Sequence, residues 1–362
     1  MDSNKIKVLL VDDSPLVLTL LKRILESSPD IEIVGTASNG KEALDLIPRV
    51  QPTLISTDLH MPVMDGLQFT REVMAKYPRP ILVVSVSVAE GSSNVFRLLE
   101  AGAVDVFPKP RGAANHESSE FAREFIQKIK ILSGVRVFRR PLKAITAPRP
   151  LPSPPIETSV FTEAASRIVV IGASTGGPQA LQTILTMLPA HFPVPVICVQ
   201  HIAEGFLPGL VEWLEALCRV KVTIANPDAV PVPGTVFFAP EGAHLKFDQK
   251  GRFVRSIEPP VNGHRPSVTT TMESAAGSYG NGVLGILLTG MGNDGAQGMR
   301  AIVQAGGVTI AQDESSSIVF GMPKQAIELG AATYVMPLEK IADALAQTLR
   351  TLSGSRRHIP RT

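Results

Sequence analysis

Three side chains of the types that together can perform acyl transfer each follow a short apolar run in the second half of the chain. They are Ser174, His201 and Asp294. The preceding runs are Ile168–Gly172, Pro195–Gln200 and Val283–Thr289. Because the carboxyl ends of parallel strands meet at one edge of a sheet, a hydroxyl, an imidazole and a carboxylate would share one crevice there. A nucleophile, a base and an orienting acid are what serine hydrolase chemistry requires.

The surroundings of Ser174 suit a nucleophile. The pattern Gly172-x-Ser174-x-Gly176 is similar to a nucleophile elbow, and the helix that follows would point free N–H groups at a developing anion. Phosphate-binding loops share this pattern, so it does not decide the chemistry alone. The chain order serine, histidine, aspartate differs from that of the α/β-hydrolases and excludes their fold. Cys198 is a poor rival nucleophile, because it lies three residues before His201 on a strand and points to the opposite face.

The loop that holds Asp294 supports a second interpretation. Gly290-x-Gly292-x-x-Gly295 is a dinucleotide-binding fingerprint between a strand and a helix, and Asp313 lies 18 residues further on, where a ribose-binding acid is expected. Taken alone, this segment fits NAD binding as well as it fits catalysis. Dinucleotide binding would leave Ser174 and His201 without a role.

A second constellation, in the first half of the chain, consists of carboxylates, a hydroxyl and one lysine at successive strand ends. Its members are Asp12, Asp13, Asp58, Ser85 and Lys109. Three converging carboxylates repel one another unless a hard cation joins them, and ligation by oxygen alone suits Mg²⁺. The lysine brings a point charge suited to a phosphoryl oxygen. An aspartate at a strand end can instead cap the next helix, but that explanation does not account for the whole set.

The two constellations lie in two regions with the same strand–helix rhythm. Residues 1–132 alternate five short apolar runs with amphipathic segments, which predicts a parallel sheet with helices on both faces. The runs are Lys7–Val11, Ile31–Ala37, Leu54–Thr57, Ile81–Ser85 and Ala103–Phe107. The pattern stops in 133–166, where six prolines predict an extended linker, and it resumes over 167–362. We therefore expect an α/β protein with two doubly wound parallel-sheet domains.

Composition excludes several classes of protein. The 362 residues are 44% hydrophobic and 19% charged, which is typical of folded globular chains. A net charge of +2 gives no field that would favour nucleic acid as a partner. Two cysteines provide no disulfide framework, and the sequence shows neither a signal peptide nor a membrane-spanning apolar run. We expect a cytoplasmic protein that does not insert into a membrane.

The acidic constellation resembles the receiver domain of bacterial two-component response regulators. The matching segments are Val11-Asp-Asp-Ser14, Asp58 with Met61-Pro-Val-Met-Asp-Gly66, Ser85, and Lys109-Pro110. The resemblance implies a flavodoxin-like fold in which Asp58 accepts a phosphoryl group from a histidine kinase. The further residues that it implies are Asp12, Asp13 and Asp58 as Mg²⁺ ligands, and Ser85 and Lys109 in the phosphorylation switch.

Two positions depart from the usual receiver pattern. Val106 stands where receivers usually carry an aromatic residue, with Phe107 one place later, and Pro108 directly precedes Lys109. Both affect the switch rather than phosphorylation itself. By the same resemblance we expect a cis peptide bond before Pro110.

Residues 167–350 resemble the catalytic domain of the CheB family of chemotaxis protein-glutamate methylesterases. The matching segments are Ile171–Gly177, Gln200–Ile202, Ala239-Pro240, His244-Leu245, Arg265–Val268, Leu288–Gly295 and Phe320–Pro323. The resemblance implies a Rossmann-like three-layer fold. It also implies hydrolysis of methyl esters on chemoreceptor glutamates, with methanol as product, and deamidation of receptor glutamines. No cofactor is expected in this reaction.

The same resemblance assigns roles to individual residues. Ser174 is the nucleophile, His201 the base and Asp294 its orienting acid. The backbone N–H of Met291 is the expected oxyanion donor, and Thr175 is a neighbour in the pocket. One departure is Thr269-Thr270-Thr271, where an acidic residue and apolar residues are usual; it could alter the cleft wall or the choice of substrate.

In this family the unphosphorylated receiver obstructs the active site, and phosphorylation relieves the obstruction. The resemblance thus implies a serine hydrolase activated at Asp58 and serving adaptation in chemotaxis. The alternative is a two-component regulator whose C-terminal domain binds a dinucleotide or acts as a non-catalytic binding module.

Overall fold

The computed structural model describes residues 5–86, 93–110, 117–139 and 168–345. Contacts divide the chain into two compact units, Met1–Arg149 and Pro150–Thr362. Of the expected linker 133–166, the part from residue 140 onward lies outside the described residues. Within the described ranges, no helix is both long and apolar enough to cross a bilayer.

The first unit contains a sheet of five parallel strands. Its strands are β1 (Ile6–Val11), β2 (Ile31–Ala37), β3 (Leu54–Thr57), β4 (Ile81–Ser85) and β5 (Asp105–Pro108). Its helices are α1 (Pro15–Glu26), α2 (Gly40–Val50), α3 (Gly66–Lys76), α4 (Ser93–Ala101) and α5 (Glu117–Leu132). The strand order is β2-β1-β3-β4-β5. The direction of winding reverses between β1 and β3, so a crevice forms beyond their carboxyl ends.

Two expectations at the end of this sheet are wrong. The last strand is Asp105–Pro108 rather than Ala103–Phe107, and Pro108 is tolerated there because it ends an edge strand. The bond before Pro110 is not cis; the cis bond within the described residues joins Arg265 to Pro266. Trans is the favoured isomer of an X–Pro bond unless tertiary contacts select the other.

The second unit contains a sheet of seven strands in which every neighbouring pair is parallel. Its strands are β6 (Ile168–Ala173), β7 (Val196–Gln200), β8 (Lys221–Ile224), β9 (Thr235–Phe238), β12 (Val283–Leu287), β13 (Val308–Gln312) and β14 (Tyr334–Met336). A separate antiparallel hairpin consists of β10 (His244–Phe247) and β11 (Phe253–Ser256). The helices are α6 (Gly177–Leu185), α7 (Leu207–Leu217), α8 (Val268–Tyr279), α9 (Ala296–Gln304) and α10 (Met322–Glu328). Residues 338–345 are also helical.

The strand order in this sheet is β14-β13-β12-β6-β7-β9-β8. All residues of β6, β7 and β12 are buried, because layers cover both faces of the central strands. On one face Val268 and Met272 of α8 pack with Met299 and Ile302 of α9. The expected three-layer α/β fold is therefore present, and its winding reverses between β6 and β12.

The predicted strand Val283–Thr289 ends two residues early. The Thr289 N–H leaves the ladder and donates to the Gln312 side chain at 2.8 Å. The Thr289 carbonyl accepts the N–H of Ser174 at 3.0 Å. These two hydrogen bonds link the segment after β12 to β13 and to the loop after β6.

Candidate active site

The three predicted catalytic side chains lie at the carboxyl edge of the second sheet. Ser174 follows β6, His201 follows β7, and Asp294 lies in the loop between β12 and α9. β6 pairs with both β7 and β12, so the three loops are neighbours. Ser174, the His201 side chain and Asp294 are all largely buried.

A hydrogen bond joins two members of the set. His201 Nε2 lies 2.9 Å from Asp294 Oδ2. The carboxylate also accepts from Ser267 Oγ at 2.8 Å and from the N–H groups of Val268 at 2.7 Å and Thr269 at 3.1 Å. These donors form the amino end of α8, whose N-cap is Ser267. A helix amino end attracts negative charge, so the fold holds Asp294 as an anion.

Two opposed effects act on the Asp294 carboxyl. Burial raises its pKa, but the hydrogen bond and charge of His201, together with Ser267 and the Thr269 N–H, lower the pKa well below its usual range. Asp294 is therefore ionised at neutral pH and can only accept. It follows that His201 Nε2 carries the proton and Nδ1 has the lone pair.

The other ring nitrogen is available for chemistry. His201 Nδ1 is buried and has no hydrogen-bond partner among the described residues. Within the described residues, His201 Nδ1 and Ser174 Oγ form no hydrogen bond. Catalytic hydrogen bonds are often long in unliganded enzymes and tighten when substrate binds. The nitrogen nevertheless has the protonation state that a general base requires.

The main chain around Ser174 is held from two sides. Gln200 Nε2 donates to the carbonyl oxygens of Ser174 and His201, each at 2.8 Å. On the other side Gly290 lies so close that a Cβ there would sit 2.7 Å from Ser174 Cβ and 2.4 Å from Met322 Sδ. Only glycine fits at position 290, and the position of Met291 beside the serine follows from that close approach.

The candidate oxyanion donors differ in availability. The N–H of Ser174 is already bonded to Thr289 O. The N–H of Met291, which is half-buried, donates no hydrogen bond within the described residues. Thr175 is buried, and its carbonyl accepts from Thr289 Oγ1 at 3.0 Å. The Met291 N–H is thus a predicted donor that has no partner among the described residues.

The unusual Thr269-Thr270-Thr271 segment is buried in α8 rather than exposed on a cleft wall. Thr269 Oγ1 accepts the Gly295 N–H at 2.7 Å. Thr271 Oγ1 donates to Leu245 O at 2.8 Å. These hydroxyls hold the Asp294 loop and the β10–β11 hairpin, so their contacts are structural.

The groups that suggested dinucleotide binding or a cysteine nucleophile are bonded to other residues or buried. The Asp313 carboxylate accepts from Ser315 and Ser316 within its own turn, so it does not reach toward a ribose. The Gly295 N–H at the start of α9 is bonded to Thr269 and Asp294 instead of facing a pyrophosphate. Cys198 is fully buried, and burial, with a smaller effect of Cys218, raises the pKa of its thiol far above neutral.

In the first unit the acidic constellation assembles beyond β1 and β3. Oxygens of Asp12, Asp13 and Asp58 lie within 4.8 Å of one another. Lys109 Nζ lies 2.8 Å from Asp12 Oδ2 and 2.9 Å from Asp58 Oδ2. Carboxylate oxygens are the ligands that a hard divalent cation prefers, so the three aspartates fit Mg²⁺. Ser85 is buried at the end of β4, and its carbonyl accepts the Lys109 N–H at 2.8 Å.

Burial raises the pKa of Asp58, although the hydrogen bond and charge of Lys109 oppose that effect. For Lys109, burial lowers the pKa but the two carboxylates outweigh it and raise it overall. The lysine therefore keeps its charge beside the candidate phosphorylation site. Phe107, the shifted aromatic, packs against Phe121 and Phe125 of α5 at centroid distances of 5.3 Å. Val106 is buried.

Three residues at the candidate active site were not predicted from the sequence. Gln200 and Ser267 lie in segments that carried the family resemblance, but nothing in the sequence assigned them contacts. The spacing of Ser267 before α8 is an N-cap signal that could have been used. His264 had no recognisable signal in the sequence; its ring stacks on that of His201.

Comparison with known proteins gives family matches for both units. The CheB methylesterase family matches residues 169–345, and the response regulator receiver domain matches residues 8–117. A protein-glutamate methylesterase/protein-glutamine glutaminase of Nitrosospira multiformis is 42% identical over 344 residues, covering 94% of this chain and 96% of that protein. One from Methanospirillum hungatei is 44% identical over 352 residues, covering 97% and 99%. The crystal structure of the Thermotoga maritima CheB methylesterase catalytic domain is 39% identical, with a TM-score of 0.49, and covers 51% of this chain and 99% of that chain. The chain belongs to the CheB family of protein-glutamate methylesterases that carry a receiver domain.

Proposed function

We propose that this protein hydrolyses glutamate methyl esters on methyl-accepting chemoreceptors and deamidates receptor glutamines, under the control of phosphorylation at Asp58. The observation that carries the proposal is the hydrogen bond between His201 Nε2 and Asp294 Oδ2 beside Ser174. Family membership supplies the substrate class. The site supplies the groups that the chemistry needs.

In the proposed reaction Ser174 Oγ attacks the ester carbonyl while His201 Nδ1 takes the hydroxyl proton. The resulting imidazolium is stabilised by Asp294, which stays ionised. His201 then returns the proton to the leaving methoxide, so methanol departs and an acyl-enzyme remains. Water attacks the acyl-enzyme with the same base, and free glutamate and Ser174 are regenerated. A glutamine substrate follows the same steps with ammonia as the leaving group.

The developing oxyanion needs donors that no protein group already occupies. Because the Ser174 N–H is bonded to Thr289 O, we assign the Met291 N–H to this role. A preorganised donor of this kind typically contributes about 3 kcal/mol to lowering the barrier. The close packing of Gly290 against Ser174 is what brings that backbone near the reacting carbonyl.

The receiver unit supplies the control. We infer that Asp58 accepts a phosphoryl group from a histidine kinase and that Asp12, Asp13 and Asp58 hold Mg²⁺. When bound, the ion would neutralise charge on the phosphoryl oxygens during transfer. Lys109 is positioned to contact one of those oxygens in place of its present carboxylate partners. We place the receiver in residues 1–132, the linker in 133–166 and the catalytic domain in 167–362.

The test is methanol release from methylated chemoreceptors in isolated membranes, measured with and without a small-molecule phosphodonor and Mg²⁺. We expect release by the protein alone and faster release with the phosphodonor. The Asp58→Asn variant should keep the lower rate under both conditions. No release under either condition would instead favour a non-catalytic binding module.

A further inference from the structure

The ring of His264 lies flat against the ring of His201. The ring centroids are 3.7 Å apart and the planes differ by 11°. His264 is half-buried and comes from the loop before α8, not from a strand end. No other described residue forms a ring contact with His201.

We propose that His264 is a positioning residue that fixes the plane of the His201 ring, so that Nδ1 stays directed into the crevice. This inference rests on the proposed role of His201 as the base. A single hydrogen bond at Nε2 restrains one atom of the ring but leaves the ring free to rock about that bond. A parallel ring at van der Waals distance removes that freedom, because rocking would drive the two rings into each other.

The loop that carries His264 is itself held in place. Val261 and His264 exchange two backbone hydrogen bonds of 2.9 and 3.1 Å. A few residues later Ser267 Oγ donates to Asp294 Oδ1, and the N–H groups of Val268 and Thr269 donate to the same carboxylate. One segment, residues 264–269, therefore supplies both the stacking ring and the donors that fix Asp294. The position of the ring that stacks on His201 and the position of the carboxylate that bonds to it are therefore set by the same segment.

Stacking also suits the charge that His201 gains during the reaction. When Nδ1 takes the serine proton, the ring becomes a cation, and a cation is attracted to an aromatic face. This effect and the steric restraint need a flat aromatic ring but not the nitrogens of His264. Phenylalanine at position 264 should therefore preserve kcat, whereas alanine should not.

The test compares His264→Ala, His264→Phe and His264→Leu in the full-length protein by methanol release. Aromatic contacts of this kind correspond to a change in rate of about three- to tenfold. We expect His264→Ala and His264→Leu to lower kcat by that factor with KM unchanged, and His264→Phe to keep most of kcat. His191→Ala, which changes an exposed histidine elsewhere in the unit, should have no effect.

Leucine serves as the comparison if the alanine variant does not fold, because it fills the volume without a flat ring. A leucine variant with the kcat of wild type would overturn the proposal, because a flat ring would then not be needed. A phenylalanine variant as slow as the leucine variant, when both melt like wild type, would also overturn it, because the nitrogens of His264 would then be needed. Failure of the triad itself is distinguished by Ser174→Ala: if that variant releases methanol, the role of His201 falls regardless of His264.

Discussion

The side-chain nitrogen of Gln200 lies 2.8 Å from the carbonyl oxygen of Ser174 and also 2.8 Å from that of His201. One buried amide thus ties together the loops that follow β6 and β7. These loops carry the proposed nucleophile and base, so their separation depends on a residue that takes no part in the chemistry.

Replacing Gln200 by leucine leaves the His201 carbonyl without a donor among the described residues and cuts the link to the Ser174 carbonyl, which still accepts the Gly177 N–H. We expect the melting temperature to fall by several degrees, since an unsatisfied buried acceptor costs about 1–3 kcal/mol. We expect kcat to fall by about ten- to hundredfold, because small displacements of reacting groups are costly. Gln304→Leu, at an exposed position of α9, is the matched control. Full activity in Gln200→Leu would show that the tether is dispensable.

Asp294→Asn tests the electrostatics of the site. An amide in place of the carboxylate can present its NH₂ group to His201 Nε2, which moves the ring proton to Nδ1 and removes the base. We expect kcat to fall by at least about a hundredfold, as is typical when the orienting acid becomes neutral. Asp228→Asn, at an exposed position where Asn tolerates the positive φ, is the control. A loss of less than about tenfold would argue against this role for Asp294.

Wild type and Asp294→Asn should also differ in how their stability depends on pH. Because the pKa of Asp294 is lowered in the folded chain, its ionised form stabilises the fold above the unfolded value of about 4. That contribution is lost as the pH falls through the still lower folded value. The stabilisation of wild type relative to Asp294→Asn should therefore shrink as the pH falls below about 4. A difference in melting temperature that stays constant below about pH 4 would contradict the lowered pKa.

At the receiver site, Asp58→Asn should abolish Mg²⁺-dependent labelling by acetyl phosphate. It should not lower the melting temperature of the unit. Burial raises the pKa of Asp58, which means that its ionised form is less favourable in the folded than in the unfolded chain. A neutral amide avoids that cost. Asp45→Asn, which removes an exposed carboxylate on α2, should label normally; labelling of Asp58→Asn itself would place the phosphoryl group elsewhere.

Control by the receiver can be tested by removing it. We expect a fragment of residues 167–362 to release methanol faster than the unphosphorylated whole chain, as the family resemblance implies. Phosphorylating the whole chain should close most of that gap. Equal rates for the fragment and the unphosphorylated chain, both folded, would mean that the receiver acts by recruiting the enzyme and not by obstructing it.

The sequence was sufficient to predict the regular parts of the fold. Strands such as Ile81–Ser85 and Ile168–Ala173 are nearly continuous apolar runs, because buried parallel strands have both faces covered. The strands β8 to β11 were not identified, since β8, β10 and β11 mix charged and apolar residues within four positions. The strand end at Leu287 could not be read either, because it depends on the distant side chain of Gln312.

At the candidate active site, too, some residues could be predicted from the sequence and others could not. Ser174, His201 and Asp294 could be selected because strand ends are recognisable and their chemistry is distinctive. The contacts of Gln200 and His264 could not be predicted, because both depend on loops that approach one another only in the folded chain. The role of Thr269 was open for the same reason: its hydroxyl bonds to Gly295, 26 residues away in sequence.

The most direct test of the central claim is methanol release by Ser174→Ala from methylated chemoreceptors, beside wild type. The change removes one hydroxyl from a crevice, so the variant should melt as wild type does. We expect its rate to be below about a thousandth of the wild-type rate, since nucleophile replacement in serine hydrolases has effects at least that large. A folded Ser174→Ala variant that retains more than about a hundredth of the activity would contradict the assignment of Ser174 as the nucleophile.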